Sequence, residues 1–163
     1  DLEVLKSGTT LVIRYDDFGN RNHTTYITIT MPDLKSANFS GACVSYVTGF
    51  ESDEELEFYL SGASVCQLDA GYRGMNVVLT GASTLHMYGL GDEIHAEISG
   101  ASVLNAYDFP VRQADMDISG ASSGKVTVTD ELTAVATGAS SLLYRGNPKV
   151  TSTVSGASSV RRD

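Results

Sequence analysis

The sequence holds no tryptophan, only three prolines and only two cysteines in 163 residues. Two cysteines cannot form a disulfide framework. With three scattered histidines they are also too few for a Cys/His metal site. Positive charge is scarce: 11 Lys and Arg stand against 20 Asp and Glu, giving a net charge of −9. No basic patch is available to hold phosphates, which argues against a nucleic-acid partner. No apolar run approaches the ~18 residues of a membrane helix. No signal peptide is visible. The chain opens at Asp1 in mid-pattern, as expected of a processed or trimmed precursor. Helical periodicity is absent as well, and no glycine-rich loop opens a helix to cradle phosphate. Charged residues make up 19% and hydrophobic ones 42%, so the chain is not intrinsically disordered and is long enough to bury a core. Asn22-His23-Thr24 and Asn38-Phe39-Ser40 match the glycosylation sequon.

What the sequence does have is one phrase, written seven times. FSGAC, LSGAS, LTGAS, ISGAS, ISGAS, ATGAS and VSGAS centre on Gly41, Gly62, Gly81, Gly100, Gly120, Gly138 and Gly156. Successive gaps are 21, 19, 19, 20, 18 and 18 residues. Self-similarity at a period near twenty signals stacked structural units. Within each unit the residues alternate. In steps of two from Leu56 come Leu56, Phe58, Leu60, Gly62, Ser64, Cys66 and Leu68, and the skipped positions are mostly polar. Period two marks a strand with one buried face. A strand-only unit of about twenty residues, at ~3.3 Å per residue, can circle a small core once and stack on its predecessor at ~4.8 Å.

These numbers predict an all-β, single-domain, right-handed parallel β-helix of about seven coils. Gaps that wander from 18 to 21 suit the right-handed form better than the strict hexapeptide repeat of the left-handed one. Residues 1–33 should supply N-terminal strands and a cap, and 34–163 the coils. Leu11–Tyr15 and Tyr26–Thr30 read as strands flanking the turn Asp17-Phe18-Gly19-Asn20. Corners are expected at Gly71–Gly74, Gly89–Asp92, Asp108–Pro110 and Gly146–Pro148.

Stacking turns offsets from the glycine into rows of side chains. Phe39, Leu60, Leu79, Ile98, Ile118, Ala136 and Val154 form an inner apolar row. Cys43, Ser64, Ser83, Ser102, Ser122, Ser140 and Ser158 form an inner ladder that opens with a thiol. Its buried hydroxyls need backbone or mutual hydrogen bonds. Cys43 and Cys66 fall two residues out of step, ~8 Å apart, too far for a comfortable disulfide unless an early coil slips register.

The alternation of strand, Ser/Thr-Gly-Ala-Ser and strand on every turn resembles the putative auto-transporter adhesin family, or head GIN domains. The resemblance runs from about Thr25 to the end, and TTLVIRY is similar to the family's N-terminal strand. It implies a right-handed β-helix in secreted or surface-associated bacterial proteins. It implies no catalytic residue and no cofactor.

Two outward surfaces are candidates for chemistry. Before the glycine, Glu97 should lie beside Asp117 and His95 beside Asp115, a possible cation or acidic patch whose bland reading is a solvated face. After the glycine, Gln67, His86 and Asn105 form one row, and Asp69, Tyr88 and Tyr107 another. Stacked tyrosines beside planar polar groups suit a sugar ring; the plainer reading is a ladder that serves stability alone. The expected function is therefore a non-enzymatic, secreted or surface solenoid binding a glycan or protein. A polysaccharide lyase or hydrolase is the alternative, by analogy of fold only. The last coil ends at Val160-Arg161-Arg162-Asp163 with no distinct cap in its sequence, so end-to-end or side-by-side self-association is a third reading. No metal site is implied.

Overall fold

The computed structural model describes residues 2–15 and 24–163. They divide into two units, Asp1–Thr30 and Met31–Asp163. In the first, β1 (Leu2–Ser7) and β2 (Thr10–Tyr15) form an antiparallel hairpin that pairs Leu2 with Tyr15 and Ser7 with Thr10. Gly8, at φ +59°, makes the turn. The expected strand over Tyr26–Thr30 is not formed. Its alternation is real, but a strand needs a partner, and these residues have none in a ladder. The expected turn at 17–20 lies outside the described residues.

The second unit is a parallel β-solenoid of about seven turns. Its strands are β3 (Ser36–Phe39), β4 (Val44–Leu60), β5 (Val65–Leu79), β6 (Thr84–Ile98), β7 (Val103–Ile118), β8 (Ser123–Ala136), β9 (Ser141–Arg145), β10 (Lys149–Val154) and β11 (Ser159–Arg162). Each pairs in parallel with its copy on the next coil, in the order β3-β4-β5-β6-β7-β8-β9-β11, while β10 lies on β8. Three of the four expected corners do not end a strand, although the β6–β7 ladder lapses between Tyr88 and Glu93 and the β7–β8 ladder between Ala106 and Val111. Gly71–Gly74, Gly89–Asp92 and Asp108–Pro110 lie within β5, β6 and β7, where the strand bends round the core without breaking. Only Gly146–Pro148 separates two strands.

The core is the inward column of every coil. Leu60, Leu79, Ile98, Ile118 and Ala136 are buried in one row, with Phe58, Val77, Ala96, Met116 and Ala134 two residues upstream. Val154, on the outermost described coil, is 44% exposed because nothing stacks on it. Phe109 and Tyr72 close the far side, and the Tyr72 hydroxyl donates to the Leu34 carbonyl at 2.7 Å.

The repeated glycine answers to two demands at once. At Gly100 φ is +78°, a left-handed conformation that L side chains rarely adopt. A Cβ there would also lie 2.4 Å from the Gly81 carbonyl oxygen of the coil beneath. That oxygen accepts the Ala101 N–H at 2.7 Å, and the same bond recurs along the row. The glycines thus stack backbone on backbone.

The serine ladder forms as well. Ser64, Ser83, Ser102, Ser122 and Ser140 are buried. Cys43 opens the row, its thiol donating to Ser64 Oγ at 3.3 Å. Ser64 and Ser83 donate to the carbonyls of Ser61 and Thr80, at 2.9 and 2.7 Å. Ser140 donates to Ile118 O at 3.1 Å and reaches Ser158 Oγ at 3.3 Å. Ser102 Oγ finds no partner among the described residues.

Candidate functional site

On the outward face after the glycine, the fifth residue of each coil forms a straight row. Gln67 pairs with His86, His86 with Asn105, and Asn105 with Lys125. The row continues to Leu143 and Arg161. The Asn105 amide donates to His86 Nδ1 at 3.4 Å, which leaves the His86 Nε2–H directed elsewhere. Three planar hydrogen-bonding groups therefore stand on successive coils, about 4.8 Å apart.

The row two residues further on departs from the expectation. Asp69 pairs with Tyr88, but Tyr88 pairs with Asp108 and not with Tyr107. The coil from Gly100 to Gly120 has one residue more than its predecessor, and the extra residue enters between His86 and Tyr88 of the partner strand. The two tyrosines are therefore not stacked in register. Tyr88 stays exposed, while Tyr107 is half-buried with the Arg145 guanidinium 3.8 Å from its ring centroid. Arg145 is held there by Asp163, Nη2 to Oδ2 at 2.8 Å. Burial, then the nearby Asp163 carboxylate, push the Tyr107 phenol above its ordinary range, and Arg145 pulls the other way.

The outward face before the glycine is acidic, and its expected pairs are in register: His95 with Asp115 and Glu97 with Asp117. His95 stands between two carboxylates, Nδ1 3.4 Å from Asp115 and Nε2 3.7 Å from Glu97. An open groove of about 370 Å³ runs beside it, lined by Glu55, Asn76, Glu93, His95, Asp115 and Glu131 among others. The groove floor is a further row, Glu55, Gly74, Glu93, Gln113 and Glu131, seven residues before each glycine. Glu55 folds its side chain over the space that Gly74 leaves. Among the described residues, no cluster of three or more His, Cys, Asp or Glu has the geometry to hold a metal ion. No helix among them is long and apolar enough to cross a membrane.

A family profile described as putative auto-transporter adhesin, head GIN domain, matches residues 1–148. The chain belongs to this head GIN domain family. Its structure is similar to that of a putative adhesin from Bacteroides fragilis NCTC 9343, with a TM-score of 0.89 and 18% identity over 99% of this chain and 76% of that one. A putative adhesin from Parabacteroides merdae ATCC 43184 has a TM-score of 0.66 and 19% identity, over 80% of this chain and 64% of that one. A putative lipid binding protein from Parabacteroides distasonis ATCC 8503 has a TM-score of 0.65 and 18% identity, over 99% and 78%. At such identities the likeness speaks for the fold alone. None of the curated proteins matches the sequence.

Two features of this head GIN domain lie beyond the rows read from the sequence above. The groove row from Glu55 to Glu131 is one step of two further from the glycine than the His95 row, and the same offset reaches it. Lys125 and Arg161 likewise continue the Gln67–His86–Asn105 row by the same offset. The cysteines are both free. Cys66 pairs with Ser45, two residues past Cys43, so the thiols do not face each other. Cys66 is fully buried, and desolvation pushes its thiol up to about 11.

Proposed function

We propose that this head GIN domain is a non-enzymatic binding module, secreted or at the cell surface, whose ligand is a glycan or a protein. Its gripping surface is the outward face after the glycine. Gln67, His86 and Asn105 form the grip, with Asp69, Tyr88 and Tyr107 along its border. The observation that carries the reading is the in-register row of three planar polar side chains, two of them joined by a hydrogen bond. A rigid parallel stack holds such groups at fixed spacing, so little order has to be imposed on binding. The family description as an adhesin agrees with it. The test is a glycan array and a pull-down with the parent chain and the His86→Ala, Asn105→Ala double variant. Ligands of the parent should be lost by the variant. Undiminished capture would remove this face from the function.

A second reading, cleavage of a polysaccharide, draws on the groove with His95 among carboxylates. The groove is open, and the side chains of Asp115 and Glu131 are 61% and 49% exposed. Acid catalysis by a carboxyl group is usually arranged by burying it. Appearance of new ends or unsaturated products from a panel of uronic-acid polymers would favour this reading over binding.

A further inference from the structure

We propose that the ligand of the post-glycine face is an acidic polysaccharide of the uronic-acid class, with Lys125 as the anchor for its carboxylate. This deepens the proposed function and rests on it. The first observation is how charge is distributed. The chain carries 20 Asp and Glu, yet neither the row from Val44 to Ser159 nor the row from Tyr46 to Arg161 contains a single carboxylate. The pre-glycine face carries Glu55, Glu57, Glu93, Glu97, Asp115, Asp117 and Glu131, whereas on the post-glycine face the carboxylates of Asp69 and Asp108 stand one row further from the glycine.

The second observation is Lys125 itself. It is half-buried, in register with Asn105 on one side and Leu143 on the other. Lys35, Arg112, Arg145 and Lys149 each have a carboxylate within 4 Å. Lys125 has none among the described residues. Its one charge contact is the Tyr107 ring, whose centroid is 5.8 Å from Nζ. An ammonium group held in place without a counter-ion, beside donors on Asn105 and His86, is complementary to an anion flanked by hydroxyls. Arg161 offers a second positive charge two coils on, about 10 Å away at the strand spacing.

The density of charge selects the class of anion. Between Gln67 and Lys125 four coils supply one cation in this row, and the rest of the molecule is strongly negative. A densely sulfated polymer or a nucleic acid would be repelled by that field at most points of contact. A uronic-acid polymer carries a single charge per sugar, fewer than a densely sulfated chain, so one carboxylate can meet Lys125 while neutral hydroxyls meet Gln67, His86 and Asn105.

Binding of polygalacturonate, of its fully methyl-esterified neutral form, and of dextran sulfate to the whole chain would be measured by calorimetry at moderate salt. Polygalacturonate should bind at least ten-fold more tightly than either of the others. Lys125→Gln should weaken it at least ten-fold without moving the melting temperature. Lys125→Arg should restore most of the affinity, and Lys149→Gln, on the opposite face, should leave it unchanged. Equal binding of the neutral ester, preference for dextran sulfate, or a Lys125→Gln variant that binds like the parent would overturn the inference. If a neutral glycan binds and is lost with His86→Ala, Asn105→Ala, the binding face stands and only its acidic ligand falls. If none of the three polymers binds, the acidic-ligand inference falls and the array and pull-down decide the binding face; if ligands bind but ignore this face, both fall.

Discussion

Replacing Gly100 by alanine separates the two demands made on the repeated glycine. Its φ of +78° would put an alanine in the left-handed region, at about 1–2 kcal/mol. The new Cβ would also lie 2.4 Å from Gly81 O and 3.0 Å from Gly81 N. Relief requires the two coils to part by roughly 1 Å, which stretches the 2.7 Å bond from Ala101 N to Gly81 O. Overpacking of this kind costs about 1–3 kcal/mol, and a weakened hydrogen bond adds up to about 1 kcal/mol. The expected total is about 2–6 kcal/mol. Gly41 provides the matched control: it has the same phrase and φ of +88°, but nothing lies within 4 Å of its Cβ position. Gly41→Ala should therefore cost only the conformational term, about 1–2 kcal/mol. Gly156→Ala guards against an end effect, since it lies on an outer coil yet would meet Gly138 O at 2.6 Å. Urea unfolding followed by circular dichroism, with unchanged slope, gives the three differences. Equal midpoints for Gly41→Ala and Gly100→Ala would refute the claim that coil-on-coil contact fixes the residue. So would a Gly156→Ala variant as mild as Gly41→Ala.

Three further outcomes follow from the interior. Ser83→Ala discards a 2.7 Å bond to Thr80 O and should lose about 1 kcal/mol, whereas Ser102→Ala removes an unpartnered hydroxyl and should be neutral or slightly stabilising; equal losses in thermal unfolding would contradict the assignment. In the native protein at pH 8 a thiol reagent should reach half-buried Cys43 alone, and Cys66 only after unfolding; two fast equivalents would show the core at Cys66 to be open. The Cys66 thiol is raised from 9.0 to about 11, so folding favours its neutral form. A raised value gives stability that is complete below pH 9 and lost as pH climbs through about 11, at most about 2–3 kcal/mol. Cys66→Ala should flatten the stability–pH curve in that window relative to the parent, and parallel curves would count against it.

The rows nearest the glycine were legible because the glycine fixes register on every coil. Ser64 to Ser140, Leu60 to Ala136, and the pairs His95/Asp115 and Gln67/His86 all follow by constant offset. Further away the offset fails wherever a coil changes length. The first coil, two residues longer than the next, shows two register shifts, between Thr48 and Phe50 and between Ser52 and Glu55. Gap lengths thus state how many residues are extra, but not where the chain accommodates them, and an unbroken count sets Tyr107 over Tyr88 where the ladder sets Asp108. Phe109 shows what decides the place: it turns into the core beside Gly91, and a Cβ on Gly91 would lie 2.9 Å from its ring. In the hairpin the limits are different. Leu2–Ser7 carries no clean alternation yet forms a strand, while Tyr26–Thr30 alternates well and has no strand to pair with among the described residues. Pattern reports a residue's preference, and pairing depends on what folds beside it.

The two outward faces differ in a way that bears on stability as well as binding. Like charges directly opposite each other on adjacent strands are destabilising, yet Glu97 lies over Asp117 and Glu93 one coil from Gln113 and two from Glu131. A neutral row is available to this fold, as Val44, Val65, Thr84, Val103, Ser123, Ser141 and Ser159 show on the other side. The acidic face therefore loses some stability locally, and what it gains is repulsion between copies of a flat parallel sheet that would otherwise offer a surface for stacking. On the post-glycine face the two rows nearest the glycine carry no carboxylate, and on the first coil Val44 is 69% and Tyr46 73% exposed. Like charges stacked on one face and carboxylates absent from the nearest rows of the other make the two faces electrostatically unlike, and it is on the second that the proposed ligand would be met.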